Sequence, residues 1–224
     1  MKIVVFAAGE GIRMRPLTLT MPKPLLSYRG KSNLDHLFDL LPSEIDEAII
    51  IVKYLKEKII AYCGDSFHGR TIRYVEGSEK GNAIGFLNTQ SLLSPGERFA
   101  VAYGDEVFAG DEITRCFAHE FSWLCYEVNN PTQCGIITLN NEGRIIDMVE
   151  KPEHPTGNLA ADGFMVVSSD IFSYQPVMHA KGEYYFSDMM RGFLKDHPVM
   201  VVMGSPGHTQ MTTISDHPWE SLDE

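Results

Sequence analysis

A short apolar strand at the start of the chain runs directly into a glycine-rich, cationic loop. Residues 2–6 are strand-like, and they are followed by Ala7-Ala8-Gly9-Glu10-Gly11-Ile12-Arg13-Met14-Arg15-Pro16-Leu17-Thr18 and then by Pro22-Lys23-Pro24. Glycines let backbone N–H groups approach phosphate oxygens, and Arg13, Arg15 and Lys23 would neutralise the phosphate charge. The pattern therefore predicts a polyphosphate site at the end of a buried strand.

The loop does not follow the two most familiar glycine motifs. A dinucleotide fingerprint would need a third glycine near Met14, and a Walker A loop would need Gly-Lys-Ser/Thr. The loop instead resembles the signature of the sugar-1-phosphate nucleotidyltransferases, G-x-G-T-R-x-x-P-L-T followed by P-K-P. It departs from that signature at Ile12, where the family carries Thr or Ser.

The resemblance implies a role for each matching residue of the loop. Arg13 would hold the leaving phosphates, and Lys23 would steady the α-phosphate. The nucleotide would also be bound through Ala8, Gly9 and Gly11.

The alternation of elements predicts an α/β fold. Strands are expected at 2–7, 48–52, 70–75 and 99–103, with helices at 33–41 (capped by Ser32), 55–62 and 82–93. Strands near 121–128, 134–139, 144–149 and 163–168 follow, then a helix at 186–194 and a strand at 199–203. Residues 140–143 have hairpin chemistry. We therefore expect an open, Rossmann-like mixed sheet flanked by helices, and the resemblance implies a GT-A-like nucleotidyltransferase fold.

Composition predicts one domain and limits the partners. The 224 residues suit a single domain, which we divide into a nucleotide-binding half (about 1–110) and a sugar-phosphate-binding half (111–224). A net charge of −11 argues against nucleic acid as a partner. No apolar run is long enough to span a bilayer, and the start is too short for a signal peptide, so we expect a cytoplasmic protein. The four cysteines form no C-x-x-C pair and are expected to be reduced.

A second polar sequence follows the strand at 99–103. Gly104 and Asp105 stand where a carboxylate could hold Mg²⁺ against phosphates. The resemblance implies that role for Asp105, and it makes Gly104 part of the substrate site. Glu106 is adjacent and would point elsewhere on an extended chain, so it ranks below Asp105.

The segment 74–83 is similar to the family's Q/E-x-x-P-x-G-T-A segment, in which the first residue reads the base and the glycine packs beside it. Glu76 stands in the reader position, Gly81 is the glycine, and Asn82 replaces the usual Thr. A carboxylate only accepts hydrogen bonds, so Glu76 favours guanine, whereas a Gln can serve uracil or thymine. The donor is therefore left open between GTP and dTTP or UTP.

The second half matches the family's acceptor motifs. The resemblance implies that Glu150 accepts hydrogen bonds from sugar hydroxyls and that Lys151 binds the sugar phosphate. Backbone near the sugar ring is expected at Gly135 and Gly163. The segment from Gly182 to Asp188 looks like the family's G-E-Y-x-x-T-D sequence and adds Glu183 as a substrate-binding residue.

The chain departs from the family at its end. Thr213 aligns with the family's second metal carboxylate, and Asp216 would replace it only with a shift in register. We expect no left-handed β-helix acyltransferase domain after this point. The sequence leaves open whether the protein forms a homo-oligomer.

The resemblance implies an enzyme that uses Mg²⁺ to transfer a nucleotidyl group from an NTP to a hexose 1-phosphate, such as mannose or glucose 1-phosphate. The alternatives are a cytidylyltransferase acting on a non-sugar phosphate such as phosphocholine, and a non-catalytic regulatory homologue that binds a nucleotide sugar.

Overall fold

A computed structural model of the chain describes residues 1–180 and 182–205, and the backbone of 209–210. In chain order the strands are Lys2–Ala7 (β1), Ser27–Tyr28 (β2), Lys31–Ser32 (β3), Glu47–Val52 (β4), Ser66–Phe67 (β5), Arg70–Glu76 (β6), Arg98–Tyr103 (β7), Glu106–Val107 (β8), Phe121–Glu127 (β9), Gly135–Leu139 (β10), Ile145–Glu150 (β11), Leu159–Ser168 (β12), Val199–Met203 (β13) and Thr209–Gln210 (β14). The α-helices are Asn33–Leu40 (α1), Lys56–Cys63 (α2), Asn82–Leu87 (α3), Glu112–Phe117 (α4) and Phe186–Asp196 (α5).

The first strand lies inside a mixed sheet. β1 pairs in parallel with β4 on one side and with β7 on the other, and β6 continues the parallel part beyond β4. Along the described chain the sheet follows the order β11-β10-β12-β7-β1-β4-β6-β5; β9 branches from β12, and β13 pairs with β9. The carboxyl ends of β1, β4, β6 and β7 therefore meet at one edge, where ligands bind in open α/β sheets.

The second half extends the sheet mainly with antiparallel strands. β12 runs antiparallel to β7, to β9 and to β10. β10 and β11 form the hairpin predicted at residues 140–143, and β13 lies parallel to β9. The predicted open mixed sheet is confirmed.

Alternate residues of the central strands divide the core into two layers. Val4 and Phe6 of β1 pack in one layer with the apolar face of α5, whereas Ile3 and Val5 pack in the other with α1. All four side chains are nearly inaccessible to solvent, which is why the sequence of this strand is continuously apolar. Replacing one of these residues with alanine would lower the free energy of unfolding by about 2–5 kcal/mol.

The predicted cap of the first helix is confirmed. The Ser32 hydroxyl accepts a hydrogen bond from the Asp35 backbone N–H, and the Asp35 carboxylate accepts one from the Ser32 N–H. This reciprocal pair satisfies two N–H groups that the helix itself leaves unpaired.

The predicted helix over 82–93 is too long. α3 ends at Leu87, and a 3-10 turn at Gln90–Leu92 follows it. The buried Thr89 donates from both its N–H and its hydroxyl to the Phe86 carbonyl, the acceptor that another α-helical turn would use. The short helix α4 and the two-residue strands have no counterpart among the predicted elements.

The four cysteines are free thiols, and burial raises the pKa of Cys63 and of Cys116 to about 12. Among the described residues, no helix has the length and apolar character required to cross a membrane.

Candidate active site

A cavity of about 550 Å³ lies at the carboxyl edge of the parallel strands. It is lined by residues from the ends of β1, β4 and β7, by the loop that follows β1, by the loop between β6 and α3, by Asn82 and Gly85 of α3, and by one residue of the segment before α5. The residues predicted for the site that line it are Ala8, Gly9, Gly11, Arg13, Lys23, Gly81, Asp105 and Glu183.

The glycine-rich loop is held by a buried threonine. Gly11 has a left-handed backbone (φ 61°), and the Thr18 hydroxyl donates to its carbonyl at 2.8 Å. A Cβ at Gly11 would lie 2.9 Å from Thr18 Cγ2, so the loop requires glycine at this point. Thr18 is thus a structural residue of the motif.

The two arginines of the loop differ. Arg13 lines the cavity, is exposed, and has no ion-pair partner in the described part of the chain. Arg15, which the sequence grouped with it, pairs with Glu10 at 3.1 Å and is not among the lining residues. The structure therefore brings two of the three predicted cations, Arg13 and Lys23, into the cavity.

Lys23 and Asp105 meet although they are far apart in sequence. Lys23 Nζ lies 2.5 Å from Asp105 Oδ2, and the two side chains are 11% and 29% exposed. Gly104 makes this approach possible: its N–H donates to the Phe6 carbonyl, and a Cβ there would lie 3.0 Å from both Val5 and Leu34. Gly104 thus packs the turn after β7 against β1.

Tyr103, the last residue of β7, is influenced by the charges of three carboxylates. Burial raises its pKa, and the charges of Glu106, Asp105 and Glu150 raise it further. Its hydroxyl accepts a hydrogen bond from Asn82 Nδ2 at 3.1 Å. The phenol therefore stays neutral and acts as a fixed polar group.

Glu76 lies outside the cavity lining. It is the last residue of β6, and its carboxylate pairs with Lys56 at 2.7 Å on the surface. Two charged residues absent from the sequence prediction line the cavity nearby: Lys53, directly after β4, and Glu79, which pair at 3.2 Å. The position of Lys53 at the end of a parallel strand next to β1 is the signal that could have identified it.

The acceptor residues Glu150 and Lys151 lie at the end of β11 and are not among the lining residues. Glu150 is opposite Gly135 on β10, and a Cβ at Gly135 would lie 3.1 Å from the Glu150 carboxylate. Lys151 has a left-handed backbone (φ 45°), and its exposed ammonium is 3.8 Å from Glu150. The lack of a side chain at Gly135 thus leaves room for the Glu150 carboxylate. The approach of the Gly135 backbone to the sugar stays a prediction.

Gly163 has a similar role beside Glu106. Its N–H donates to Glu106 Oε2 at 3.0 Å, and a Cβ there would lie only 2.3 Å from the same oxygen. Burial and the neighbouring carboxyls of Asp162 and Asp105 raise the pKa of Glu106 well above its usual range. Glu106, which the sequence ranked below Asp105, therefore joins the turn after β7 to the acceptor strand β12.

Glu183, one of the residues predicted for the sugar-phosphate side, lines the cavity. Tyr185 donates to its carboxylate at 2.7 Å, and this hydrogen bond, with burial, raises the pKa of Tyr185 to about 12. Thr213 and Asp216, the two candidates for a second metal carboxylate, lie outside the described residues.

Comparison with known proteins assigns the class. The family model described as "Nucleotidyl transferase" matches residues 2–207, and the chain belongs to this family. It is 33% identical over 199 residues to the UTP–glucose-1-phosphate uridylyltransferase AglF of Haloferax volcanii, covering 84% of this chain and 81% of that protein. The predicted family resemblance is confirmed.

A second relative is longer. The bifunctional protein GlmU of Methanocaldococcus jannaschii is 30% identical over 201 residues, covering 89% of this chain and 48% of that protein. The chain thus spans about half the length of the GlmU relatives that it matches.

The fold is also found in solved structures. A Bacillus anthracis protein assigned as a glucose-1-phosphate thymidylyltransferase superposes with a TM-score of 0.84 at 24% identity, covering 96% of this chain and 92% of that chain. The GT-A-like nucleotidyltransferase fold predicted for this chain is confirmed.

Proposed function

We propose that this chain transfers a nucleotidyl group from a nucleoside triphosphate to a hexose 1-phosphate and releases pyrophosphate. The observation that carries the proposal is the Lys23–Asp105 pair, which lies with the glycine-rich loop in one cavity of about 550 Å³. That volume is within the range of small-molecule sites.

In the proposed reaction, an oxygen of the sugar phosphate attacks the α-phosphorus of the nucleotide. A new P–O bond forms as the bond from the α-phosphorus to the bridging oxygen breaks, and pyrophosphate leaves with the electron pair. Little covalent chemistry falls to the protein, so catalysis consists of positioning and charge neutralisation. Arg13 and the loop amides would hold the leaving phosphates, Lys23 the α-phosphate, and Lys151 the sugar phosphate.

Asp105 fits the role of a Mg²⁺ ligand. Its carboxylate is a hard oxygen ligand that is partly open to the cavity. Phosphate oxygens and water would contribute further ligands, and the described residues contain no group of three His, Cys, Asp or Glu side chains that could hold a metal. When bound, Mg²⁺ would neutralise charge on the phosphates.

We propose UTP or dTTP as the donor and glucose 1-phosphate as the acceptor. The H. volcanii relative carries the name of a UTP–glucose-1-phosphate uridylyltransferase. Glu76 would favour GTP if its carboxylate were free to read the base, but that carboxylate pairs with Lys56.

Pyrophosphate release tests the proposal. The protein is mixed with UTP, dTTP, GTP or CTP and with glucose 1-phosphate, mannose 1-phosphate or phosphocholine, in Mg²⁺ or in EDTA. We expect release with UTP or dTTP and a hexose 1-phosphate, and none in EDTA. Release from CTP and phosphocholine would support the cytidylyltransferase instead. Nucleotide-sugar binding without release from any pair would support the regulatory homologue.

A matched pair of arginines controls this assay. Arg13→Ala should lower turnover by about 100-fold, because it removes a cation from the phosphates. Arg15→Ala, in the same loop but paired with Glu10, should change it less than about threefold. Equal losses in the two variants would contradict the role given to Arg13.

A further inference from the structure

The loop between β6 and α3, to which we assign nucleotide binding, is hydrogen-bonded to the segment that contains Glu183. Gly77, Ser78 and Glu79 of that loop line the cavity, as does Glu183 from the segment before α5. The two stretches are about 100 residues apart in sequence. Three hydrogen bonds nevertheless connect them, and a fourth joins Asn82, which makes one of the three, to Tyr103.

Two of these hydrogen bonds join the backbones. Tyr184 N–H donates to the Lys80 carbonyl at 2.8 Å, and Ala83 N–H donates to the Tyr184 carbonyl at 3.2 Å. Gly81 lies between them with φ 105°, and a Cβ there would lie 2.2 Å from the Tyr184 carbonyl oxygen. The contact therefore requires glycine at position 81.

Asn82 makes the other two. Its Oδ1 accepts from the Phe186 N–H at 2.9 Å, and its Nδ2 donates to the Tyr103 hydroxyl at 3.1 Å. The backbone N–H can only donate, so it fixes which amide atom faces it. Both ends of the amide are thus engaged by protein, between the end of β7 and the start of α5.

We propose that Asn82 is a positioning residue that couples the nucleotide loop to the acceptor segment, so that a bound nucleotide sets the place of Glu183. The inference rests on the proposed function, because it assigns the nucleotide and the sugar phosphate to these two sides. A nucleotide that fixes residues 77–82 also fixes the Asn82 amide, which holds the Phe186 N–H. Together with the bonds of Tyr184 to Lys80 and Ala83, this contact restrains the adjacent Glu183. Such a link between two sites is a coupling free energy, and it acts in both directions.

Hydrogen exchange and kinetics together test the coupling. UTP and dTTP are added separately to the protein, and exchange at the amides of residues 184–186 is followed by mass spectrometry. We expect the bound nucleotide to slow exchange there in the wild type and to slow it less in Asn82→Ala, most clearly at Phe186, whose N–H loses its acceptor. In steady-state assays Asn82→Ala should raise the KM for hexose 1-phosphate about tenfold, and by reciprocity the KM for nucleotide at saturating sugar phosphate as well, whereas the affinity for nucleotide alone, measured by titration, should change less than twofold.

Two further variants separate positioning from damage. Asn82→Asp keeps an acceptor for the Phe186 N–H and one for the Tyr103 hydroxyl, so it should restore the protection. Asn88→Ala removes an exposed amide at the end of the same helix, bonded to the Glu76 carbonyl, and should behave as wild type.

Several results would overturn the coupling. They are an unchanged sugar-phosphate KM with undiminished protection in Asn82→Ala, a comparable loss of affinity for nucleotide in the absence of sugar phosphate, or the same losses in Asn88→Ala. Nucleotide-dependent protection without turnover would refute the proposed function and leave the coupling in place. Turnover without nucleotide-dependent protection would refute the coupling and leave the proposed function in place.

Discussion

The nucleotide side and the sugar-phosphate side of the site differ in how firmly the fold holds them. Lys23, in the loop after β1, and Asp105, two residues after the neighbouring strand β7, are largely buried and paired with each other. Glu150 and Lys151 lie at the end of the outermost strand β11, and their side chains are 40% and 61% exposed. A site fixed by buried neighbours is preorganised, whereas exposed side chains become ordered only when a ligand is bound.

The first prediction tests the preorganised side and has the largest expected effect. Asp105→Asn removes the charge that pairs with Lys23 and the carboxylate that would hold Mg²⁺. We expect kcat to fall about 100- to 1,000-fold, because charge neutralisation at the phosphates is lost. Pyrophosphate release and thermal unfolding of the same samples measure it.

Glu47→Gln is the control for Asp105→Asn. Glu47 forms an ion pair of 2.7 Å with Arg73 at the start of β4, at the opposite edge of the parallel strands, so turnover should stay within about twofold. A loss of turnover in Asp105→Asn that is matched by a large fall in unfolding temperature would show that the pair is structural, not catalytic.

The same difference explains what could be predicted from the sequence. The loop after β1 and Asp105 follow from local patterns and from the rule that parallel strands end at one edge. The contact between Glu106 and Gly163 could not be predicted, because it depends on β12 lying next to β7 in one particular register. Asn82 was noticed as a departure from the family, but its bond to Phe186 depends on how α5 packs.

The helix predicted over 82–93 was wrong for a related reason. Its apolar periodicity continues past Leu87, but the side chain of Thr89 bonds the Phe86 carbonyl and turns the chain. A side chain that competes with the backbone for one carbonyl is not visible in a periodicity.

The second prediction tests the exposed side and is smaller. Lys151→Ala should raise the KM for hexose 1-phosphate about tenfold, because one charge-assisted hydrogen bond to phosphate is lost. The KM for the nucleotide should change less than twofold, since Lys151 does not line the cavity. Steady-state kinetics with each substrate varied in turn separates the two effects.

Lys195→Ala is the control, because it removes an exposed lysine of α5 that has no assigned role in the site. An unchanged sugar-phosphate KM in Lys151→Ala would contradict the assignment. A comparable rise in the nucleotide KM would mean that Lys151 also binds the nucleotide.

The third prediction concerns Asp35 of α1, which lies outside the cavity lining. We expect it to affect the stability of the fold and not catalysis. Partial burial opposes ionisation of Asp35, but hydrogen bonds from Ser32, Tyr62 and His68 outweigh it and lower its pKa from the usual 3.8 to about 2. A carboxyl whose pKa is lowered by folding stabilises the fold above pH 3.8, and this contribution is lost as the pH falls through about 2. Its size is on the order of 1 kcal/mol, since the cluster is partly exposed.

Asp35→Asn should therefore flatten the dependence of stability on pH. Between pH 5 and pH 2 the wild type should lose more of its urea midpoint, measured by circular dichroism, than the variant does. At neutral pH the variant should be less stable, yet it should keep its KM for both substrates, because Asp35 lies outside the cavity lining. Parallel pH curves would contradict the lowered pKa. A changed KM would show that the first helix, which packs against the turn at Gly104 through Leu34, transmits strain to Asp105.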